Sequence, residues 1–343
     1  MSKLLKPKPL AIIVGILALL VISILFVRVP LPTILLPAEA IPGLAIGSFK
    51  ITNTFIATIL ADIIVLALGF LAVRKMQDVP ESKLQNIFEW VVEIFDGMLT
   101  DIGGKEKARS WLAVFLTILL FLLFANWLEL VPGVDSIGYI EPLELAYAEK
   151  GVTVGYETQQ IGPFITVTTK QVILSDAEKE QIEEEFHKAE EEGHAYHPEH
   201  PKGYVLTPYV RAAATDLNLT IGLALLVVIW SHVIGFRRLG AKYARRFALP
   251  VITGMKPIDF FVGVLEFISE FAKIISLSFR LFGNIFAGQV LLFVMAFLVA
   301  FLLPLPFMGL ELFVGFMQAF VFAILTFIYF EQATHSHAGD EHH

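Results

Sequence analysis

Apolar residues in this chain come in runs far longer than an amphipathic helix or a strand requires. Residues 9–27 (PLAIIVGILALLVISILFV) form nineteen positions without a charge, about the length that crosses a hydrocarbon core of roughly 30 Å. Comparable runs recur at about 51–73, 110–131, 215–236, 258–303 and 308–330. Asp62 interrupts the second, Asn126, Trp127, Glu129 and Pro132 close the third, and Pro304 and Pro306 separate the last two. Residues 78–109 instead alternate apolar and charged positions at helical spacing. That segment is too polar to span and reads as an amphipathic helix lying on a membrane surface. The pattern predicts an all-α polytopic membrane protein with about six hydrophobic helical segments, ending in a long, strongly tilted helix hairpin.

Charge gives these segments a direction. Lys3, Lys6 and Lys8 precede the first run, Arg74 and Lys75 close the second, and Arg237, Arg238, Lys242, Arg245 and Arg246 follow the fourth. Six crossings place every one of these clusters on one side, which the positive-inside rule makes the cytoplasm. Both termini then lie in the cytoplasm of a bacterial-type plasma membrane. A small-x-small site occurs only at Ala38-Glu39-Ala40, rather far past the first run, so that run reads as a retained anchor rather than a cleaved signal peptide. The expected organisation is an anchor and Pro-rich outer linker (1–50), two spans around the surface helix (51–132), an outer insert (133–209), the remaining membrane helices (210–332) and a His-rich tail (333–343).

Composition agrees: 56% of residues are hydrophobic and mean hydropathy is +0.71. The absence of cysteine excludes disulfides and thiolate chemistry. The net charge of −8 is misleading, because residues 133–209 hold fifteen carboxylates against five lysines, leaving the remainder slightly basic. Nothing points to nucleic acid. Within the insert, SDAEKEQIEEEFHKAEEEG predicts a solvated helix with Glu–Lys pairs at helical spacing. The segment HAYHPEH repeats histidine every third residue, but Pro198 prevents a regular helix and the flanks are acidic, so it reads as solvated rather than as a metal site. Phosphate loops, dinucleotide fingerprints and nucleophile triads are absent, and no cofactor is expected.

The chemistry concentrates in ISLSFRLFGNIFAGQVLLFVMAFLVAFLL, residues 275–303, where Arg280 has no acidic neighbour. A cation at the bilayer centre costs roughly 2.5–3.5 kcal/mol on insertion scales. Arg280 stands about twenty residues from either end of its apolar segment, too far to snorkel. A continuous helix over 258–303 would run about 69 Å, more than twice the core thickness, so it must tilt, kink or begin outside. On a helical wheel Lys273, Ser276, Asn284 and Glu266 fall within about 40° of Arg280, while Gln289 faces another neighbour. Glu311 and Gln318, seven apart, share a face of the last segment; in a simple hairpin Gln318 would be level with Gln289. Glu266, Glu270 and Lys273 approach from the cytoplasmic side and Glu311 from the outer side. Asp216 and Asn218 open the fourth segment, either as a helix cap or as channel lining. Glu266 and Lys273 either line an exit path or pair with each other, and Asp62 reads as a buried carboxylate at mid-depth.

SLSFRLFGNIFAG, with Glu266 fourteen residues before Arg280, and QAFVFAILTFIY in the last segment resemble subunit a of the rotary F-type ATP synthase. TDLNLT (215–220) and NWLELVPG (126–133) are also similar to that family, over about residues 45–132 and 205–332. The first segment and the long insert depart from the compact family pattern. The resemblance implies a proton-translocating stator subunit without a catalytic site of its own, in which Arg280 faces the intramembrane carboxylates of a ring of c subunits. It further implies half-channels lined by Glu311, Gln318, Gln289, Asn284, Asp216, Asn218, Glu266, Lys273 and Ser276, and b-type peripheral stalk subunits as further partners. Some members carry a carboxylate where this chain has Gln289 and a histidine where it has Glu311. A Na⁺-translocating version and a stand-alone channel or antiporter are the competing functions, although no internal repeat supports a transporter.

Overall fold

The computed structural model describes residues 38–47, 49–74, 76–77, 82–240, 256–300 and 302–334, with a few isolated positions besides. Apart from isolated positions, the first apolar run, the lysines before it and the His-rich tail after 334 lie outside the described residues. Among the described residues five helices are long and apolar enough to cross a membrane, and the protein is a mostly helical, polytopic one. The chain divides into two compact units that interleave along the sequence.

The larger unit comprises residues 54–128, 212–286 and 313 onward. Helix α1 (Asn53–Val73) is followed by α2 (Lys83–Gly103) and α3 (Lys105–Trp127). Gly104, at φ +78°, makes the turn between α2 and α3, in a region where a side chain is strained. Helix α2 is the predicted amphipathic segment: Leu99 is fully buried, whereas Ile87 and Trp90 are exposed, as suits a helix resting on lipid. Helix α6 (Leu217–Leu239), the first part of α7 (Lys256–Leu298) and most of α8 (Pro304–Thr334) complete the unit. Leu99, Trp111, Phe115, Leu122, Val227, Leu281, Phe327 and others form one core. Trp111 meets Phe327 and Phe330 edge-on, with centroids 5.8 and 5.9 Å away. Lys107 Nζ pairs with Glu331 Oε1 at 2.8 Å, fixing the start of α3 against the end of α8.

The second unit comprises residues up to 53, 129–211 and 287–312. A hairpin, β1 (Ala40–Ile46) and β2 (Phe49–Thr52), leads into α1. The acidic insert is a folded α+β element rather than a solvated helix alone. It holds a four-stranded antiparallel sheet in the order β3 (Gly138–Pro142), β6 (Tyr204–Pro208), β4 (Val154–Ile161), β5 (Phe164–Ile173). Short helix α4 (Leu143–Lys150) and helix α5 (Asp176–Glu191) pack on it, enclosing Leu143, Ala146, Val152, Leu174, Ile182 and Val205. The predicted helix is present, started by Ser175, whose N–H donates to Glu178 Oε2 at 2.7 Å. Strand alternation such as VGYETQQI carried the sheet signal, which the acidic composition obscured.

The hairpin is tied to the insert. Asn53 Nδ2 donates to Glu39 Oε2 at 3.1 Å, and Lys150 Nζ reaches Glu39 at 3.6 Å and Glu141 at 2.5 Å. Burial pushes the Glu39 carboxyl up, against the pull of Lys150 and Arg211.

Candidate functional site

Two groups of ionisable side chains sit among apolar residues, one in each unit. Both depend on α7, a 43-residue helix and therefore about 64 Å long.

In the larger unit, one face of α7 buries Leu277, Leu281 and Ile285 in the core. Ser278, on the same face, donates to the Ile274 carbonyl at 2.7 Å. The adjoining face exposes Ser276, Arg280 and Asn284 in successive turns, with exposed Ile275 and Phe279 further round the helix. Arg280 Nη2 donates to Ser276 Oγ at 3.3 Å, and among the described residues no carboxylate lies within ion-pair distance of the guanidinium. The polar stripe does not continue unbroken. Lys273, half-buried, pairs with Glu270 at 2.8 Å rather than with Glu266, and lies 5.1 Å from the Tyr329 ring centre. The three-residue spacing within a helix favours that partner over one seven residues away.

Asp216 is a helix cap. Its Oδ1 accepts from the Asn218 backbone N–H at 2.9 Å, and its Oδ2 accepts from Thr54 Oγ1 at 3.0 Å. Asn218 contributes that N–H while its side chain is exposed. Asp62 is exposed on α1, not buried as its mid-run position suggested. Gln318 is half-buried on α8, three residues after Gly315, whose carbonyl accepts from Asn126 Nδ2 at 3.2 Å.

The second group lies in the other unit. Glu311, on α8, is only 7% exposed. Its carboxylate fits against α7 at Gly288, where an added Cβ would stand 1.5 Å from Glu311 Oε1. The helices approach this closely only because position 288 has no side chain. The pairing sets Glu311 opposite Gly288, whereas the simple hairpin register had matched Gln289 with Gln318. Gln289, next to Gly288, is buried. Glu129, in the 3₁₀ turn Leu128–Leu130, is also buried, and the charges acting on it are Asp135, Glu311 and Arg211. Arg211 is 5% exposed and acts on Glu39, Glu129 and Asp135 together. Burial pushes the Asp135 carboxyl up to about 6 despite Arg211. Glu129 Oε1, Asp135 Oδ1 and Glu311 Oε1 are buried with no hydrogen-bond partner among the described residues. Leaving such an oxygen without a donor costs about 1–3 kcal/mol.

Glu129, Asp135 and Arg211 were not singled out from the sequence. Glu129 looked like the polar end of a span, yet Arg211 is the lone arginine between Arg109 and Arg237, a signal that was there to use.

An apolar bundle of membrane-spanning helices with an unpaired guanidinium on one face and buried, incompletely bonded carboxylates elsewhere defines a multi-pass membrane protein that handles charge. The sequence matches the family described as ATP synthase A chain over residues 54–331. It is 30% identical to ATP synthase subunit a of Gloeobacter violaceus over 292 residues, 85% of this chain and 86% of that protein. It is 27% identical to ATP synthase subunit a of Syntrophobacter fumaroxidans over 293 residues, 85% of this chain and 88% of that one. The chain belongs to this family, the membrane-embedded stator subunit a of the F-type ATP synthase.

Proposed function

We propose that this subunit carries protons to and from a ring of c subunits, with Arg280 as the fixed charge that each ring carboxylate meets. The observation that carries the reading is the open stripe Ser276, Arg280 and Asn284: a guanidinium facing outward from an apolar helix, held by a single serine hydroxyl. A cation on a lipid-facing surface requires an anionic partner that the described chain does not provide. Arginine suits such a contact, since its guanidinium keeps its proton at any working pH and offers a planar fork to a carboxylate. It releases the proton of a passing acid without itself conducting one.

Glu311, Glu129 and Asp135 serve as the outer half-channel in this reading, with Gly288 giving Glu311 room to move its carboxylate and Gln289 beside it. Gln318 extends the same face of α8. Glu266, Glu270 and Lys273 border the cytoplasmic exit, where the Glu270–Lys273 pair fixes local charge. Asp216 caps the start of α6 and, with the exposed Asn218 side chain, borders the outer path in this reading. The termini lie in the cytoplasm, the insert outside a bacterial plasma membrane, and b-type stalk subunits hold the assembly as a stator.

The test is Arg280→Lys in the assembled synthase, with proton-driven ATP synthesis measured in inverted vesicles and assembly checked by immunoblot. A desolvated lysine can lose its proton, so synthesis should fall below about one hundredth of wild type. Near-normal synthesis by the lysine variant would remove the requirement for a guanidinium.

A further inference from the structure

We infer that the insert carries a binding site for an aliphatic polyammonium ion, in a cavity between α5 and the chain that follows it. The cavity has a volume of about 440 Å³ and is lined by Glu144, Glu185, Tyr196, Glu199, His200 and Lys202, among others. That volume lies within the range of about 300–1,000 Å³ common to small-molecule sites.

Its walls are anionic in excess. Four glutamates (Glu144, Glu178, Glu185 and Glu199) face one lysine, and that lysine is already committed, its Nζ being paired with Glu178. Glu178 is further held by the Ser175 N–H and hydroxyl. Glu144 differs from the rest. Its side chain is 6% exposed, and its Oε1 accepts from the Lys202 backbone N–H at 2.8 Å. Its Oε2 is buried with no hydrogen-bond partner among the described residues. A carboxylate oxygen buried without a donor is costly, and a ligand ammonium that reached it would supply the missing bond.

Glu185 accepts only a long bond, 3.3 Å, from the Tyr196 hydroxyl, which leaves a second anionic anchor along α5. Burial together with the Glu185 and Glu144 carboxylates pushes that hydroxyl up to about 12, so Tyr196 stays neutral and its ring walls the cavity. An ammonium group has three donors and no acceptor, which matches these oxygens, and an aromatic ring beside a cation adds attraction. Two anchors favour a ligand with at least two charges joined by a flexible apolar chain. Among the described residues no three His, Asp or Glu side chains converge as a metal site, and magnesium is therefore included in the test.

The experiment is calorimetric titration of the full-length chain in detergent with spermidine at low ionic strength, repeated with n-butylamine and with magnesium chloride. Wild type should show one saturable site for spermidine. Glu144→Gln keeps the acceptor for the Lys202 N–H and should weaken binding about tenfold or more. Glu185→Gln should weaken it by a smaller factor, and Lys202→Met, which removes the competing cation, should tighten it about threefold. Absence of a saturable site, or equal affinity in wild type and in both glutamine variants, would overturn the proposal. Equal affinity for n-butylamine would overturn the polyammonium assignment in favour of a single ammonium, as a lysine side chain presents. Complete displacement by equimolar magnesium would reduce the effect to unspecific screening.

Discussion

The two charged groups on this protein solve the same problem in opposite ways. Around Glu129 and Glu311 the charges are inside, and the chain brings its own counter-ion, Arg211, to three carboxylates at once. Around Arg280 the charge is outside and, among the described residues, its hydrogen-bond partner is a serine hydroxyl. The first group is therefore part of the fold, while the second, under the proposed function, is completed by an assembly partner. A charge can be indispensable to function and almost irrelevant to stability, or the reverse, and burial distinguishes the cases.

The largest effect that would sharpen this contrast is on Arg280. Arg280→Ala should abolish proton-driven ATP synthesis in the assembled synthase. The thermal unfolding of the isolated chain should stay within about 0.5 kcal/mol of wild type, as exposed substitutions do. A destabilised isolated chain would mean that the guanidinium is internally satisfied after all.

Arg211→Met is the mirror experiment. Removing the cation from a buried cluster leaves uncompensated carboxylates and should cost about 3–5 kcal/mol. Thermal unfolding in detergent reads this directly; an unchanged midpoint would show that the acids there are neutral without help.

Glu311→Gln comes next. It preserves shape but removes the exchangeable proton, so ATP-driven acidification of inverted vesicles should fall severely, about a hundredfold by analogy with losing a positioned acid–base group. Glu311→His should restore part of it, and Gln289→Glu with Glu311→His more. Normal pumping by the glutamine variant would move the outer path to Glu129 and Asp135 alone. Gly288→Ala should produce a milder loss, about tenfold, because the methyl group must displace the Glu311 carboxylate or spread the helices. The smallest effect belongs to Asp216→Ala, which removes a cap and should cost about 1 kcal/mol of stability with coupling retained. Loss of proton flux out of proportion to that cost would make Asp216 part of the relay rather than its border.

The helices were legible because membrane insertion imposes long apolar runs that no other constraint mimics: 51–73, 215–236 and 258–303 all appear within a few residues of the observed helices. Arg280 was legible for the same reason, since one charge in such a run has no bland explanation. The insert was not, because its strands are half-buried and its acidic surface outweighs their alternation. The Glu129, Asp135 and Arg211 cluster was also hidden. Its members are 76 to 82 residues from Arg211 in sequence, and a tertiary approach of that kind leaves no periodic trace. Glu311 stood out as a carboxylate in an apolar run, but its register did not, because that depends on Gly288 letting two helices touch. Gly288 looked like one more small residue in an apolar run.

The length of α7 has a consequence for how the membrane voltage is used. Exposed large apolar side chains occur from Ile258 to Phe279 and again at Phe297 and Leu298. Were the whole helix, about 64 Å, held within a core of about 30 Å, it would lie about 60° from the membrane normal. Each residue would then gain only about 0.7 Å of depth. Ser276 and Asn284, eight residues apart, would differ in depth by about 6 Å, roughly a fifth of the core. With about 2.3 kcal/mol per charge at 100 mV across the whole core, sliding a charge past the entire stripe would be worth only about 0.4 kcal/mol. At that tilt the stripe would lie close to an equipotential, and under the proposed function most of the electrical work would be done where ions climb in and out, away from the arginine.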